Sequence, residues 1–138
     1  MQGSKHRVII DTNCWISFLI GRRLHKMVDW LSDGRIQLLL CDELIEEIRE
    51  VASRPKFRKY FRPADVDSLV DFLQLISENI ELKSNISLCR DAADDFLLAL
   101  AVDAQANYLL TGDEDLLVLQ KVGKCKIVDI QTFEHLWQ

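Results

Sequence analysis

Short apolar segments alternate along the chain with segments that have the periodicity of a helix. The apolar segments span residues 7–10, 36–40, 107–110 and 126–128, with a weaker one at 80–82. Helical periodicity covers residues 13–20, 24–32, 42–53, 64–78, 92–104, 114–121 and 130–137. Strands that alternate with helices are typical of a parallel sheet covered by helices on both faces. We therefore predict an α/β fold with one three-layer α/β/α domain over residues 1–138.

The composition is that of a globular protein without a membrane span. Of the 138 residues, 49% are hydrophobic, which is enough for one core. No apolar run approaches the roughly 20 residues that a transmembrane helix needs. The first residues, MQGSKHR, are not followed by the apolar core of a signal peptide. We therefore expect a cytoplasmic protein, and the net charge of −5 argues against a protein that coats nucleic acids generally.

The cysteines and histidines do not form a metal-binding motif. Cys14, Cys41, Cys89 and Cys125 are far apart and contain no C-x-x-C pair. The three histidines are scattered, and no two are spaced four residues apart. This pattern predicts buried free thiols rather than zinc ligands or disulfides.

The first predicted strand runs directly into a carboxylate. Residues 8–19 read VIIDTNCWISFL, so Asp11 ends an apolar strand just where a helix begins. A buried carboxylate is costly unless something pairs with it. The carboxyl ends of parallel strands lie along one edge of the sheet, and ligands bind at that edge. Asp11 is therefore a candidate for binding a cation, although a turn residue is the simpler interpretation.

Other carboxylates are predicted at the same edge. Asp113 follows the fourth strand, after the turn residue Gly112, and Asp115 comes two residues later. The helix that begins DAADDFLLALAV offers Asp94 and Asp95 in its first turn, and helical phase alone does not choose between them. In the helix over 42–53, the acidic residues are Glu43, Glu46, Glu47 and Glu50. Of these, Glu47 lies nearest the apolar stripe and is best placed to lean inward.

Each of these acids, taken alone, is explained by helix capping or by the helix dipole. Four carboxylates at one edge would nevertheless repel one another and raise each other's pKa, and a divalent cation would remove that repulsion. Oxygen ligands without histidine or cysteine favour Mg²⁺ or Mn²⁺. Such a site suits a phosphodiester substrate. Asn13 would then hydrogen-bond a ligand or a metal-bound water, or else serve as a plain helix cap.

Four motifs follow one another along the chain: DTN after the first strand, ELIEEIREVASRPKF after the second, DAADDFLLALA, and TGDEDLL near the end. Together they resemble the PIN domain family, in the branch described as toxin components of bacterial toxin–antitoxin pairs. The resemblance implies a five-stranded parallel sheet in the order 3-2-1-4-5 and a metal-dependent endoribonuclease. Matched position by position, it gives Asp11, Glu47, Asp94 and Asp113 as metal-binding and catalytic residues, with Asp115 as an accessory ligand. Asp95 remains an alternative to Asp94, and Cys41 stands where Ser or Thr is expected.

The resemblance also implies partners, namely an RNA substrate, an inhibitory antitoxin protein and a second copy in a homodimer. An alternative is a catalytically inactive PIN-like module that binds RNA or protein. A third class, phosphoryl transfer through an aspartyl phosphate on Asp11, is disfavoured. It needs either a second aspartate where Asn13 stands or a lysine where Asp129 stands.

Residues 54–62, RPKFRKYFR, form a segment that we call the basic strip. Its candidate RNA-binding residues are Arg54, Lys56, Arg58, Lys59, Tyr60 and Arg62. Cations meet phosphates and aromatic rings stack on unpaired bases, so the strip is a candidate RNA-binding surface. It is equally a candidate protein-binding surface, or a solvated loop in which Phe57 and Phe61 pack on the core. A smaller cluster consists of Arg22, Arg23, His25 and Lys26.

Overall fold

The computed structural model describes residues 5–21, 29, 31, 34–89 and 91–136. Most of the helix predicted over 24–32 lies outside these residues, as does the cluster of Arg22, Arg23, His25 and Lys26. Within the described part of the chain, no helix is long and apolar enough to cross a membrane.

The described residues contain one sheet of six strands. They are β1 His6–Ile10, β2 Ile36–Leu40, β3 Glu78–Asn79, β4 Tyr108–Leu110, β5 Lys121–Val122 and β6 Cys125–Val128. The order across the sheet is β3-β2-β1-β4-β6-β5, and every neighbouring pair is parallel except β5 and β6. The predicted α/β class and its three-layer, mostly parallel architecture are thus confirmed. The five parallel strands have the predicted order, and β5 is an added sixth strand at the edge.

In the chain, helices connect these strands, and they pack on the faces of the sheet. They are α1 Thr12–Gly21, α2 Asp42–Ala52, α3 Pro63–Ile76, α4 Asp95–Asp103, α5 Glu114–Leu117 and α6 Ile130–Leu136. Single 3₁₀ turns occupy Pro55–Phe57 and Ala92–Asp94. The hydrophobic core is centred on β1 and β4, in which Val8, Ile9 and Leu109 are fully buried.

Three predicted segments differ from the structure, and one of them is the helix predicted over 92–104, which begins only at Asp95 after a 3₁₀ turn. The third strand lies at Glu78–Asn79 rather than 80–82, because the chain pairs with β2 directly after α3 ends. Ile80 only donates its N–H to Leu40 beyond that pair. The helix predicted over 114–121 ends at Leu117. Gln120 adopts a positive φ of 64°, which ends helical geometry and turns the chain into β5.

Candidate active site

Asp11 is buried where β1 meets α1. Its side chain is 4% exposed, and its Oδ1 accepts a hydrogen bond from the N–H of Cys14 at 2.9 Å. Asp11 is therefore the residue that caps α1, whereas Asn13, for which a capping role was the alternative interpretation, is the second residue of the helix. The Asn13 side chain is exposed rather than engaged as a cap. Burial raises the pKa of Asp11, and two hydrogen bonds only partly offset that effect.

Thr111 joins Asp11 to Asp113. Its hydroxyl donates to Oδ2 of Asp11, and its Oγ1 accepts the N–H of Asp113 at 3.0 Å. Because that oxygen already accepts from Asp113, the hydroxyl proton is directed toward Asp11. Thr111 is fully buried and follows β4 just as Asp11 follows β1. The sequence analysis missed this residue, although the threonine of TGD was a usable signal because it stands at the same strand end.

Asp113 caps α5 and lies beside Asp94. Its Oδ1 accepts the N–H of Asp115 at 2.9 Å, so the capping interpretation holds for this residue. Its carboxyl group is also within hydrogen-bonding reach of the Asp94 carboxyl group. Asp113 therefore caps α5 and also contributes a carboxyl group to the site.

The structure separates the roles of Asp94 and Asp95. Oδ1 of Asp95 accepts the N–H groups of Leu88 and Cys89, at 3.2 and 2.8 Å, and so fixes the loop before α4. Asp94 instead faces the other carboxylates. Burial, the hydrogen bond with Asp113 and charge repulsion together raise the pKa of Asp94 to about 7.

Glu47 approaches the same region from α2. Its side chain is half-buried, and burial raises its pKa, with repulsion from Asp11 adding to the effect. The Thr12 hydroxyl lowers the pKa of Glu47, which shows that the two groups face each other. Among the described residues, Thr12 Oγ1 is nevertheless buried without a hydrogen-bond partner of normal geometry. Such an orphaned group normally has a role or an additional ligand.

The structure thus brings together four carboxylates from separate elements, which we call the acidic cluster: Asp11, Glu47, Asp94 and Asp113. Asp115 lies next to them on α5, where its carbonyl accepts the thiol of Cys89 at 3.6 Å. Within the part of the chain that the structure describes, no three His, Cys, Asp or Glu side chains already stand in a metal-holding arrangement. The acidic cluster therefore brings carboxyl groups of like charge together in a partly buried region. These groups do not form a complete coordination shell for a metal ion.

Substitution of Asp94 by Asn is expected to stabilise the metal-free protein near neutral pH. In the folded chain, Asp94 keeps its proton up to a pH of about 7, whereas an unfolded chain loses it near pH 4. The stability due to the protonated form is therefore complete below about pH 4 and is lost as the pH rises through about 7. Thermal melts in EDTA should show the Asn variant a few degrees above the parent at pH 8 and level with it at pH 4. A constant difference at both pH values would contradict this assignment.

The basic strip is partly structural. The rings of Phe57 and Phe61 stack at 5.8 Å between centroids, and Phe61 is only 7% exposed, as the alternative of core packing predicted. Arg54 pairs with Glu50 at 3.1 Å, and Arg62 pairs with Asp65 at 3.6 Å.

Other residues of the strip face solvent. Tyr60 is 48% exposed, and the Lys59 amine lies 5.2 Å from the centre of its ring. Lys56 lies similarly over Phe57, at 5.1 Å. Arg54 also lowers the pKa of Glu47, so one end of the strip lies within electrostatic range of the acidic cluster.

Comparison with known proteins agrees with this fold. A family model described as PIN domain matches residues 7–115, which is most of the chain. An uncharacterized protein of Methanocaldococcus jannaschii, MJ1680, is 29% identical over 127 residues, covering 90% of this chain and 81% of that protein. VapBC2 from Rickettsia felis, solved with a DNA fragment from their promoter, shares the fold with a TM-score of 0.56 at 12% identity. That match covers 88% of this chain and 96% of the other.

Proposed function

Because the chain belongs to the PIN domain family, we propose that it is a Mg²⁺- or Mn²⁺-dependent endoribonuclease. The observation that carries this proposal is the convergence of the acidic cluster at one edge of the sheet. Burial and mutual repulsion raise the pKa values of Asp11, Glu47 and Asp94, so the cluster is under electrostatic strain that a cation would relieve. PIN domains are generally nucleases, and this acidic site agrees with that activity.

The residues present fit a hard divalent ion. All the side chains of the acidic cluster offer oxygen, and the orphaned Thr12 hydroxyl beside Glu47 is a further oxygen in the same place. We assign Asp11, Glu47, Asp94 and Asp113 as the ligands and catalytic residues, with Asp115 as an accessory ligand.

When bound, a Mg²⁺ or Mn²⁺ ion would polarise a phosphoryl oxygen of the substrate and lower the pKa of a water. The chain itself contributes position and charge. Thr111 and the Cys14 N–H hold the Asp11 carboxylate from two sides, which fixes the direction of its remaining lone pairs. We assign Asn13, which is exposed at the start of α1, to hydrogen-bond a ligand or water near Asp11.

We assign the solvent-facing cations of the basic strip to RNA binding, because Arg54 connects them electrostatically with the acidic cluster. We propose that this RNA cleavage takes place in the cytoplasm. The fold shared with VapBC2 supports an assignment as the toxin of a toxin–antitoxin pair, with an antitoxin protein as inhibitor. We also propose that the chain acts as a homodimer.

Titration with Mn²⁺ tests the proposal against the alternative of an inactive module. A functional acidic cluster should bind Mn²⁺ with release of protons from the raised carboxyl groups, and the melting temperature should rise with the ion concentration. RNA cleavage should stop in EDTA and return when Mn²⁺ is added. If the folded protein binds no Mn²⁺ and melts at the same temperature with and without it, the inactive module is the better description.

A further inference from the structure

A cavity of about 410 Å³ opens between the end of α2, the basic strip and the start of α3. Its floor is apolar and includes Ala52, Phe61 and Val66, of which Phe61 is the largest. Arg58 and Ser53 lie at its rim. This volume falls in the range of pockets that hold small organic groups.

The rim of this cavity offers hydrogen-bonding groups of both kinds. Arg49 and Asp67 form an ion pair at 2.7 Å that lines the cavity, and their side chains are 46% and 65% exposed. Together they present guanidinium hydrogen-bond donors and carboxylate acceptors to a ligand in the cavity. Nucleobases combine apolar faces with an edge of donors and acceptors, and arginine and aspartate are among the side chains that read such edges.

Arg58 supplies the charge at the mouth of the cavity. Among the described residues, its guanidinium forms no ion pair, unlike the guanidinium groups of Arg49, Arg54 and Arg62. A free cation above an apolar floor suits the phosphate that accompanies a base.

The cavity is connected to the acidic cluster around the C-terminal end of α2. Glu47 and Ala52 lie on this helix five residues apart, which corresponds to about 7.5 Å along its axis and about 140° around it, so they lie on different sides of α2. Arg54, which follows α2, lowers the pKa of Glu47 and so lies within electrostatic range of the acidic cluster. A flexible single strand therefore reaches both sites by passing around the end of α2.

We infer that the α2–α3 cavity is a subsite for one nucleotide of single-stranded RNA, with the base inside and its phosphate on Arg58. This inference rests on the proposed function, because it takes RNA as the ligand of the neighbouring acidic cluster. The subsite selects an unpaired nucleotide, since a base inside a duplex has no free face to enter the cavity.

Binding of a fluorescently labelled, unstructured RNA in EDTA tests the subsite without cleavage. Arg58→Ala should weaken binding at least about fivefold and reduce the slope of log affinity against log salt by about one. Ser53→Leu should narrow the mouth of the cavity from its exposed rim and weaken binding at least about fivefold, with the salt slope unchanged. Matched controls are Lys124→Ala, an exposed cation in the β5–β6 turn, and Ser68→Leu, an exposed serine of α3 outside the cavity. Both controls should bind RNA like the parent.

Unchanged RNA affinity in Arg58→Ala and Ser53→Leu, with both variants folded by thermal melt, would overturn the subsite. A cavity that receives a side chain of a protein partner gives that same unchanged affinity. A cleavage assay with Mn²⁺ separates the two proposals. RNA binding that depends on Arg58 in a protein without cleavage supports the subsite and rejects the nuclease. Cleavage with no effect of either variant rejects only the subsite.

Discussion

Replacing Asp11 by Asn is expected to lower metal-dependent RNA cleavage by about 100-fold or more, since even outer partners of metal ligands are worth about 10- to 100-fold. Asp11 is the most buried carboxylate of the acidic cluster, and it is held in place by Thr111 and Cys14. The Asn variant keeps one oxygen that accepts the Cys14 N–H, and Asn is as good a helix cap as Asp, so the fold should persist although the Thr111 hydroxyl loses its acceptor. Initial cleavage rates at saturating Mn²⁺ provide the measurement.

The matched control is Asp91→Asn. Asp91 is exposed, caps the turn before α4 through the N–H of Ala93 at 3.0 Å, and lies close enough to raise the pKa of Asp94. The same loss of one charge therefore occurs next to the acidic cluster without loss of a proposed ligand, and cleavage should change by only a few-fold. Equal cleavage by Asp11→Asn and the parent, with superimposable melting curves, would show that the ligand set is wrong.

The positions of Asp11 and Asp113 follow from topology that the sequence reveals. Asp11 comes directly after β1 and Asp113 comes three residues after the end of β4, and parallel strands bring their carboxyl ends to one edge, so convergence needs no knowledge of side-chain contacts. Glu47 follows from helical phase, because α2 has one apolar stripe and Glu47 borders it.

The choice between Asp94 and Asp95 could not be made in that way. Residues Ala92–Asp94 form a 3₁₀ turn, and α4 begins only at Asp95, so the rotation of 100° per residue does not apply across the pair. Asp95 is oriented by backbone N–H groups of Leu88 and Cys89, which lie in a loop without periodicity. The local sequence pattern does not indicate those contacts, so it does not show which of the two aspartates faces the other carboxylates.

The edge strands were predicted less well for a related reason: β3 was expected two residues later, and β5 was not predicted. Strands β3 and β5 have two residues each, too short to show an alternation of apolar and polar side chains. Their pairing is set by where the preceding helix ends and by the turn at Gly123, whose φ is +57°. Long periodic elements were therefore placed from the sequence, whereas short ones depend on tertiary contacts.

Thr111→Val should impair cation binding although Thr111 is not a proposed ligand. Valine has nearly the same shape but neither donates to Asp11 nor accepts from the N–H of Asp113, and leaving that N–H unpaired costs about 1–3 kcal/mol of stability. The lost hydroxyl is the strongest of the contacts that lower the pKa of Asp11, so that pKa should rise further. We expect Mn²⁺ affinity to fall by about 10- to 100-fold.

The pH dependence distinguishes a positioning role for Thr111 from simple destabilisation. Because the Asp11 pKa rises in the Val variant, its Mn²⁺ affinity should recover as the pH is raised, and Thr111→Ser should restore both affinity and pH dependence. Ser84→Ala is the control, since it removes a hydroxyl contact with the carboxylate of Asp103 at the other end of α4. That variant should lose stability and keep the Mn²⁺ affinity of the parent at every pH. If Thr111→Val also loses stability and keeps the Mn²⁺ affinity of the parent at every pH, the hydroxyl stabilises only the fold. Asp11 and Asp113 then bind the ion without its help.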